Sequence, residues 1–322
     1  MFLNEFAAGV AELDLTGSAE FANLLQSAND LGIPYSEQTA YCSRNIVLRH
    51  HRFHFLEWGS RAAPPILLLH GGHQSAHSFD LVSLSLARYF HVLALDQRGH
   101  GDSEWARDVD YSNQTMALDA AAFIAALALD RPVVIGHSMG GRNAMLLAHA
   151  EATMLRGLIV VDIGPEISEI GRRSIGGFVR ANEEFDDLEV FVANVRKYDP
   201  YRPRAHIERT VKYNMMRRPD GTYISKCDPA PRRLGLLAGS RPQDNLTLQS
   251  ASELDLSVLV VRGAQSEILD AAAAIRFRDA LPHGELVTVE NCAHGVPSQN
   301  TAGFLAAILP FLSARLAVRL PG

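Results

Sequence analysis

The chain has 322 residues, 47% of them hydrophobic, and a formal charge of −6. That length supports one large α/β core with room for an inserted subdomain, and the acidic balance argues against a nucleic-acid partner. Three cysteines, Cys42, Cys227 and Cys292, are too few and odd in number for a disulfide framework and fit a reducing cytoplasm.

In chain order, the opening stretch MFLNEFAAGVAELDL carries two glutamates and no Lys or Arg, unlike a secretory leader. Residues 1–43 read as a mainly helical extension, with Ser18 capping SAEFANLLQSANDLG and Gly32 ending it. NIVLRHHRFHFLEWG reads as two strands of a meander. PPILLLHGG, HVLALDQRGHGDS, PVVIGHS and LRGLIVVDIGP are apolar runs without alternation, as expected of strands buried on both faces. Helical segments separate them: SFDLVSLSLARYF, NQTMALDAAAFIAALALD and MGGRNAMLLAHAEA. The Asp residues in the second of these, and its length, make it unfit to span a bilayer. After Pro165 the alternation stops, and it resumes with the strand DLSVLVVRG, the helix DAAAAIRFRDALP, the strand ELVTVE and the helix TAGFLAAILPFLSARL.

Alternating strands and helices predict a mostly parallel sheet with helices on both faces. The core is expected over residues 44–164 and 253–322, with a helical cap inserted at 165–252. Ligands bind beyond the carboxyl ends of such strands, where His70-Gly71-Gly72, Ser138, Asp162 and His294 fall.

Ser138 lies in Gly136-x-Ser138-x-Gly140, between a predicted strand and a predicted helix. A nucleophile there sits on a sharp turn that needs small residues on either side. A serine hydroxyl needs a base, and an imidazole is the usual one. Of thirteen histidines, His294 follows a late strand and can overhang the sheet edge; His70 and His100 read as loop braces, and His137 points away by alternation. The predicted cap, counted over 165–250, holds 15 of the 30 Lys and Arg but 12 of the 36 Asp and Glu. A basic cap on an acidic body can attract a carboxylate-bearing substrate. Arg142, one helical turn after Ser138, is a further candidate for binding it.

These motifs resemble those of the serine α/β-hydrolases over residues 45–320: HGG at 70–72, DQRGHGDS at 96–103, GHSMG at 136–140, VVDIGP at 160–165, VVRGAQSEIL at 260–269 and AHG at 293–295. The resemblance implies an acyl hydrolase with Ser138 as nucleophile, His294 as base, and the N–H groups of Gly72 and Met139 as oxyanion hole. Asn291-Cys292-Ala293-His294 replaces the usual Gly-x-Gly-His. Two acids stand open. Glu267 occupies the place where many members carry Asp. Asp162 matches a subgroup using an earlier acid, and its 24-residue separation from Ser138 favours it. GHSMGGRN and DQRGHGDS also resemble enzymes of the 2-(acetamidomethylene)succinate hydrolase type, whose substrates are dicarboxylates. The expectation is a cytoplasmic hydrolase of a small ester or amide, with no cofactor, metal, nucleic acid or membrane. The alternatives are a C–C bond hydrolase, a cofactor-free oxygenase, or a non-catalytic receptor on the same scaffold.

Overall fold

In a computed structural model, which describes residues 12–234 and 246–319, the apolar runs assemble into a nine-stranded sheet. Its strands are β1 (Glu12–Asp14), β2 (Tyr41–Leu48), β3 (His51–Trp58), β4 (Pro65–Leu69), β5 (His91–Leu95), β6 (Val133–His137), β7 (Gly157–Val161), β11 (Ser257–Gly263) and β12 (His283–Val289). The spatial order is β1-β2-β3-β5-β4-β6-β7-β11-β12. From β5 to β12 neighbours run parallel, whereas β1, β2, β3 and β5 pair antiparallel. Arg49 and His50, both with positive φ (49° and 66°), close the β2–β3 hairpin in a two-residue turn.

The longer helices are α1 (Ala19–Asp30), α2 (Asp80–Leu86), α3 (Asn113–Ala126), α4 (Met139–Glu151), α5 (Glu169–Ala181), α6 (Leu188–Tyr198), α7 (Arg204–Asn214), α8 (Ala271–Ala280) and α9 (Thr301–Leu316). Successive β4 side chains alternate between two apolar layers. Ile66 and Leu68 join Phe21, Leu84 and Phe304, contributed by α1, α2 and α9. Leu67 and Leu69 join Phe123, Leu147 and Phe277, contributed by α3, α4 and α8. Both layers explain why the central strands lack a polar face. Among the described residues no helix is long and apolar enough to cross a membrane.

Two segments differ from the sequence reading. The extension is not mainly helical throughout: Ser18 caps α1 through Phe21 N–H, but Glu12–Asp14 adds a strand to the sheet edge and Tyr41–Ser43 already belong to β2. Three residues are too few to show alternation, and a cross-strand pair 2.7 Å long, Arg44 to Glu12, helps hold them. Residues 1–11 lie outside the described residues. Within 165–252, α5, α6 and α7 are joined by a small antiparallel sheet of β8 (Glu184–Phe185), β9 (Met215–Arg217) and β10 (Tyr223–Ser225), in the order β8-β10-β9. Strands of two or three residues leave no periodic signal. Residues 235–245 of this segment lie outside the described residues. A buried pair, Arg209 to Asp80 at 2.7 Å, ties α7 to α2.

The turn between β6 and α4 is sterically exacting. A Cβ on Gly140 would overlap the Leu69 carbonyl, and one on Gly136 would overlap the Gly140 carbonyl, both fixed backbone atoms. Gly140→Ala must therefore push α4 away from β4. It should cost about 3 kcal/mol, the upper end of ordinary overpacking, read as a fall in the denaturation midpoint. An unchanged midpoint would show that the turn tolerates a methyl group.

Candidate active site

β6 ends at His137, and the chain reverses into α4 through Ser138, which holds φ 51° and ψ −114°. A side chain in that region costs on the order of 1–3 kcal/mol, so the surrounding structure must enforce it. Ser138 N–H donates to the Val161 carbonyl (3.0 Å) and Gly140 N–H to the His70 carbonyl (3.1 Å), pinning the turn between β7 and the loop after β4. The hydroxyl is thereby lifted above the sheet edge, where Ser138 Oγ lies 2.9 Å from His294 Nε2.

His294 sits in the loop after β12. Asn291 takes a positive φ of 54° there, performing the sharp turn for which a glycine is usual. Cys292 is fully buried and its thiol donates to the Val289 carbonyl (3.2 Å), a packing role. His294 Nδ1 lies 2.8 Å from Asp162 Oδ2. A carboxylate oxygen accepts, so Nδ1 carries the proton and Nε2 is left to accept from Ser138. Asp162 follows β7 directly, has φ 52° and is fully buried. Its other partners are Gly263 N–H (2.9 Å) and the Ser266 hydroxyl, in a short contact.

The structure therefore brings Ser138, His294 and Asp162 into one hydrogen-bonded chain and leaves Glu267 out of it. Glu267 is exposed at the cavity wall, one residue beyond the serine that reaches the acid. Such a chain can take a proton from a hydroxyl nucleophile and return it to a leaving group. It opens into a cavity of about 890 Å³, lined also by Gly72, Met139 and Arg142. The space above Gly72 is open, and Met139 is the first residue of α4, where backbone donors lack intrahelical partners.

A family model described as the alpha/beta hydrolase fold matches residues 64–301. The chain belongs to that family. It is 28% identical to an esterase of Mycobacterium tuberculosis, over 94% of this chain and 98% of the relative. It is also 28% identical to N-formylmaleamate deformylase of Pseudomonas putida, over 83% and 95%. Among solved structures, E-2-(acetamidomethylene)succinate hydrolase superposes with a TM-score of 0.76 at 25% identity, covering 84% of this chain and 99% of the other. With these relatives, the protein is a hydrolase of the α/β fold.

Other features of the site left a fainter trace in the sequence. Ser266 stood beside the more conspicuous Glu267 in RGAQSEIL, and only its contact with Asp162 reveals it. His70 donates through Nδ1 to the Gly71 carbonyl (2.8 Å) and accepts through Nε2 from Gln97 N–H (3.0 Å), while Gln97 Nε2 donates to the His70 carbonyl (2.6 Å). Asn143 on α4 in turn donates to Gln97 (2.7 Å), so the HGG loop is braced as expected. His137 Nε2 donates to the His294 carbonyl (2.8 Å), fixing the loop that carries the imidazole. His100 donates to the Arg98 carbonyl (2.9 Å) within its own turn.

A second Ser–His–Asp chain gives a useful contrast. Ser43 Oγ lies 2.8 Å from His54 Nε2, and His54 Nδ1 lies 2.7 Å from Asp96 Oδ2. Yet Ser43 sits in regular strand β2 and is not among the residues lining the cavity. His54, Asp96 and Asp102 also lie close enough together to suggest a cation site. Asp96 already accepts from His54, Ala76 N–H and Asp102 N–H, however, and Asp102 pairs with Lys226. That set reads as a satisfied structural brace.

Ser266→Ala removes a hydroxyl from Asp162 but leaves the Gly263 donor. A bond to a charged group is worth about 1.5–3 kcal/mol, so turnover of an activated ester should fall roughly 10–100-fold with the fold intact. Undiminished turnover would make Ser266 a bystander. Burial pulls His70 down to about 4 and His137 to about 3. An unfolded histidine titrates near 6.5, so below that pH the unfolded chain takes up protons that the folded chain refuses. Stability should thus fall as pH drops from about 6.5 toward 4; a flat denaturation midpoint over that window would contradict the burial argument.

Proposed function

We propose that the protein is a serine hydrolase that cleaves a small-molecule carboxylic ester or amide through an acyl-enzyme on Ser138. The observation that carries this reading is the Ser138–His294–Asp162 chain, raised on a strained turn and open to the cavity. Ser138 Oγ attacks the carbonyl carbon as its proton passes to His294 Nε2. Asp162 holds the imidazole in the required tautomer and stabilises the imidazolium. The N–H groups of Gly72 and Met139 receive the oxyanion, with one donor worth about 3–4 kcal/mol in such sites. His294 returns the proton to the leaving alcohol or amine, and the C–O or C–N bond breaks. Water then attacks the acyl-enzyme, giving its proton to His294, and the carboxylic acid leaves as Ser138 regains its hydrogen.

The relatives' names support ester and amide substrates alike, one being an esterase and another a deformylase. The segment 165–252 acts in this reading as a cap, since α5 and α6 contribute cavity residues above the sheet edge. The partner is a small molecule, with neither nucleic acid nor a membrane involved. The low, odd cysteine count supports a cytoplasmic location.

A fluorophosphonate should label Ser138 in the whole protein and abolish hydrolysis of an activated ester, with a burst of alcohol release before steady state. Full activity in Ser138→Ala would overturn the acyl-enzyme. Asp162→Asn should lower kcat by about 10⁴, as in other triads, and Glu267→Gln by much less. The reverse ranking would move the acid to the later loop.

A further inference from the structure

Arg142 is a half-buried cation of this cavity that the hydrolytic chemistry leaves unused. It belongs to the first turns of α4, where its N–H donates to the Ser138 carbonyl (3.1 Å), so its place is fixed relative to the nucleophile. Its side chain lines the cavity and is partly buried. Among the described residues no side chain or carbonyl partners its guanidinium. Burial first, and then the neighbouring Arg172, pull its pKa down, the sign expected of a cation short of a counter-ion.

Of the other charges on the cavity wall, Arg180, Lys197 and Glu267 are exposed, and the rest have partners. Arg202 pairs with Asp199 (2.6 Å), Arg232 with Glu183 (3.0 Å), and Arg172 approaches Glu169 (3.8 Å). Asp228 accepts from Tyr111, and Glu267 makes no ion pair with Arg142. A half-buried guanidinium without a carboxylate is costly unless something else supplies the anion.

The rest of the cavity speaks to size and polarity. Phe178 of α5 and Tyr198 of α6 stack with ring centroids 4.2 Å apart, and Phe191, Ile163 and Ile175 continue the apolar wall. At about 890 Å³ the space is near the upper end of the 300–1,000 Å³ typical of sites for drug-sized ligands. A four-carbon dicarboxylate would leave most of it to water held against aromatic surface.

We propose that the cavity is built for an amphipathic anion: an ester or amide bearing one carboxylate, bound by Arg142, and an apolar body packed against Phe178, Phe191 and Tyr198. This assignment rests on the serine-hydrolase reading for its reaction, but its binding test does not. Arg142 is then a specificity residue, and its bidentate fork suits a carboxylate. The apolar wall separates this substrate class from small dicarboxylates, which would leave that wall uncovered.

The test uses full-length Ser138→Ala and calorimetric titration with octanoate, octanamide and succinate. Octanoate should bind about tenfold or more tightly than either of the others, with the margin shrinking as salt rises. Adding Arg142→Gln should erase the gap between octanoate and octanamide, and Arg142→Lys should restore part of it. Equal binding of octanoate and octanamide, a gap that survives Arg142→Gln, tighter binding of succinate, or no binding of octanoate would each overturn the proposal. Arg142→Met should leave the denaturation midpoint unchanged or higher, because it removes an uncompensated charge; a fall would mark Arg142 as structural and count against it. Fluorophosphonate labelling of Ser138 in the wild type judges the nucleophile separately, so the two readings can fail independently.

Discussion

The arrangement depends above all on how one fully buried carboxyl group, that of Asp162, is satisfied. A polar group removed from water must recover its hydrogen bonds within the protein. Asp162 does so from three directions: Gly263 at the end of β11, Ser266 in the following loop, and His294 in the loop after β12. Its own N–H donates to the Val261 carbonyl at 2.7 Å. Three separate loops at the carboxyl edge of the sheet are therefore held in one geometry, and the imidazole is aimed at Ser138 as a consequence. Ser138 and Asp162 both occupy left-handed backbone positions that favour glycine. The doubly buried strands beneath supply the rigidity that keeps such strained residues in place.

The contrast with Ser43, His54 and Asp96 shows what distances alone leave undecided. Both chains have hydrogen bonds of 2.7–2.9 Å in the same order. The difference is in what surrounds the hydroxyl. Ser138 stands at a helix start beside an open cavity, where backbone donors can meet a developing negative charge. Ser43 lies within a paired strand, and Asp96 spends its oxygens on the backbone of the loops it braces. Catalytic capacity belongs to the environment of a hydrogen-bonded chain as much as to its members.

The core was legible in the sequence because burial on both faces writes itself as unbroken apolar runs, and the helices between them carry their own spacing. Ser138 and His294 were legible because each closes such a run at a turn. The choice between Asp162 and Glu267 was not, since it depends on which loop bends toward the imidazole, and that is a tertiary matter. Ser266 was invisible for the same reason: a small hydroxyl next to a charge carries no signal until a partner reaches it. The edge strand Glu12–Asp14 and the three short strands of 165–252 were missed because two or three residues are too few to repeat any pattern.

A cavity guanidinium with no partner among the described residues, on the helix that follows the nucleophile, changes how the cavity's apolar walls should be weighed. An apolar pocket alone binds by area and discriminates weakly between chain lengths, roughly 1–3 kcal/mol for each methylene. A desolvated cation discriminates by absence, because a ligand lacking the anion leaves the charge stranded. Arg142 is carried by the turn that also presents Ser138, whereas Phe178, Phe191 and Tyr198 come from the inserted helices. In the proposed binding mode the charge that sets register is thus fixed to α4, which packs on the sheet, and the surface that sets reach is carried by the inserted segment. In that mode, changes in α5 and α6 would alter how long an apolar group is accepted without moving the point at which Arg142 holds the carboxylate.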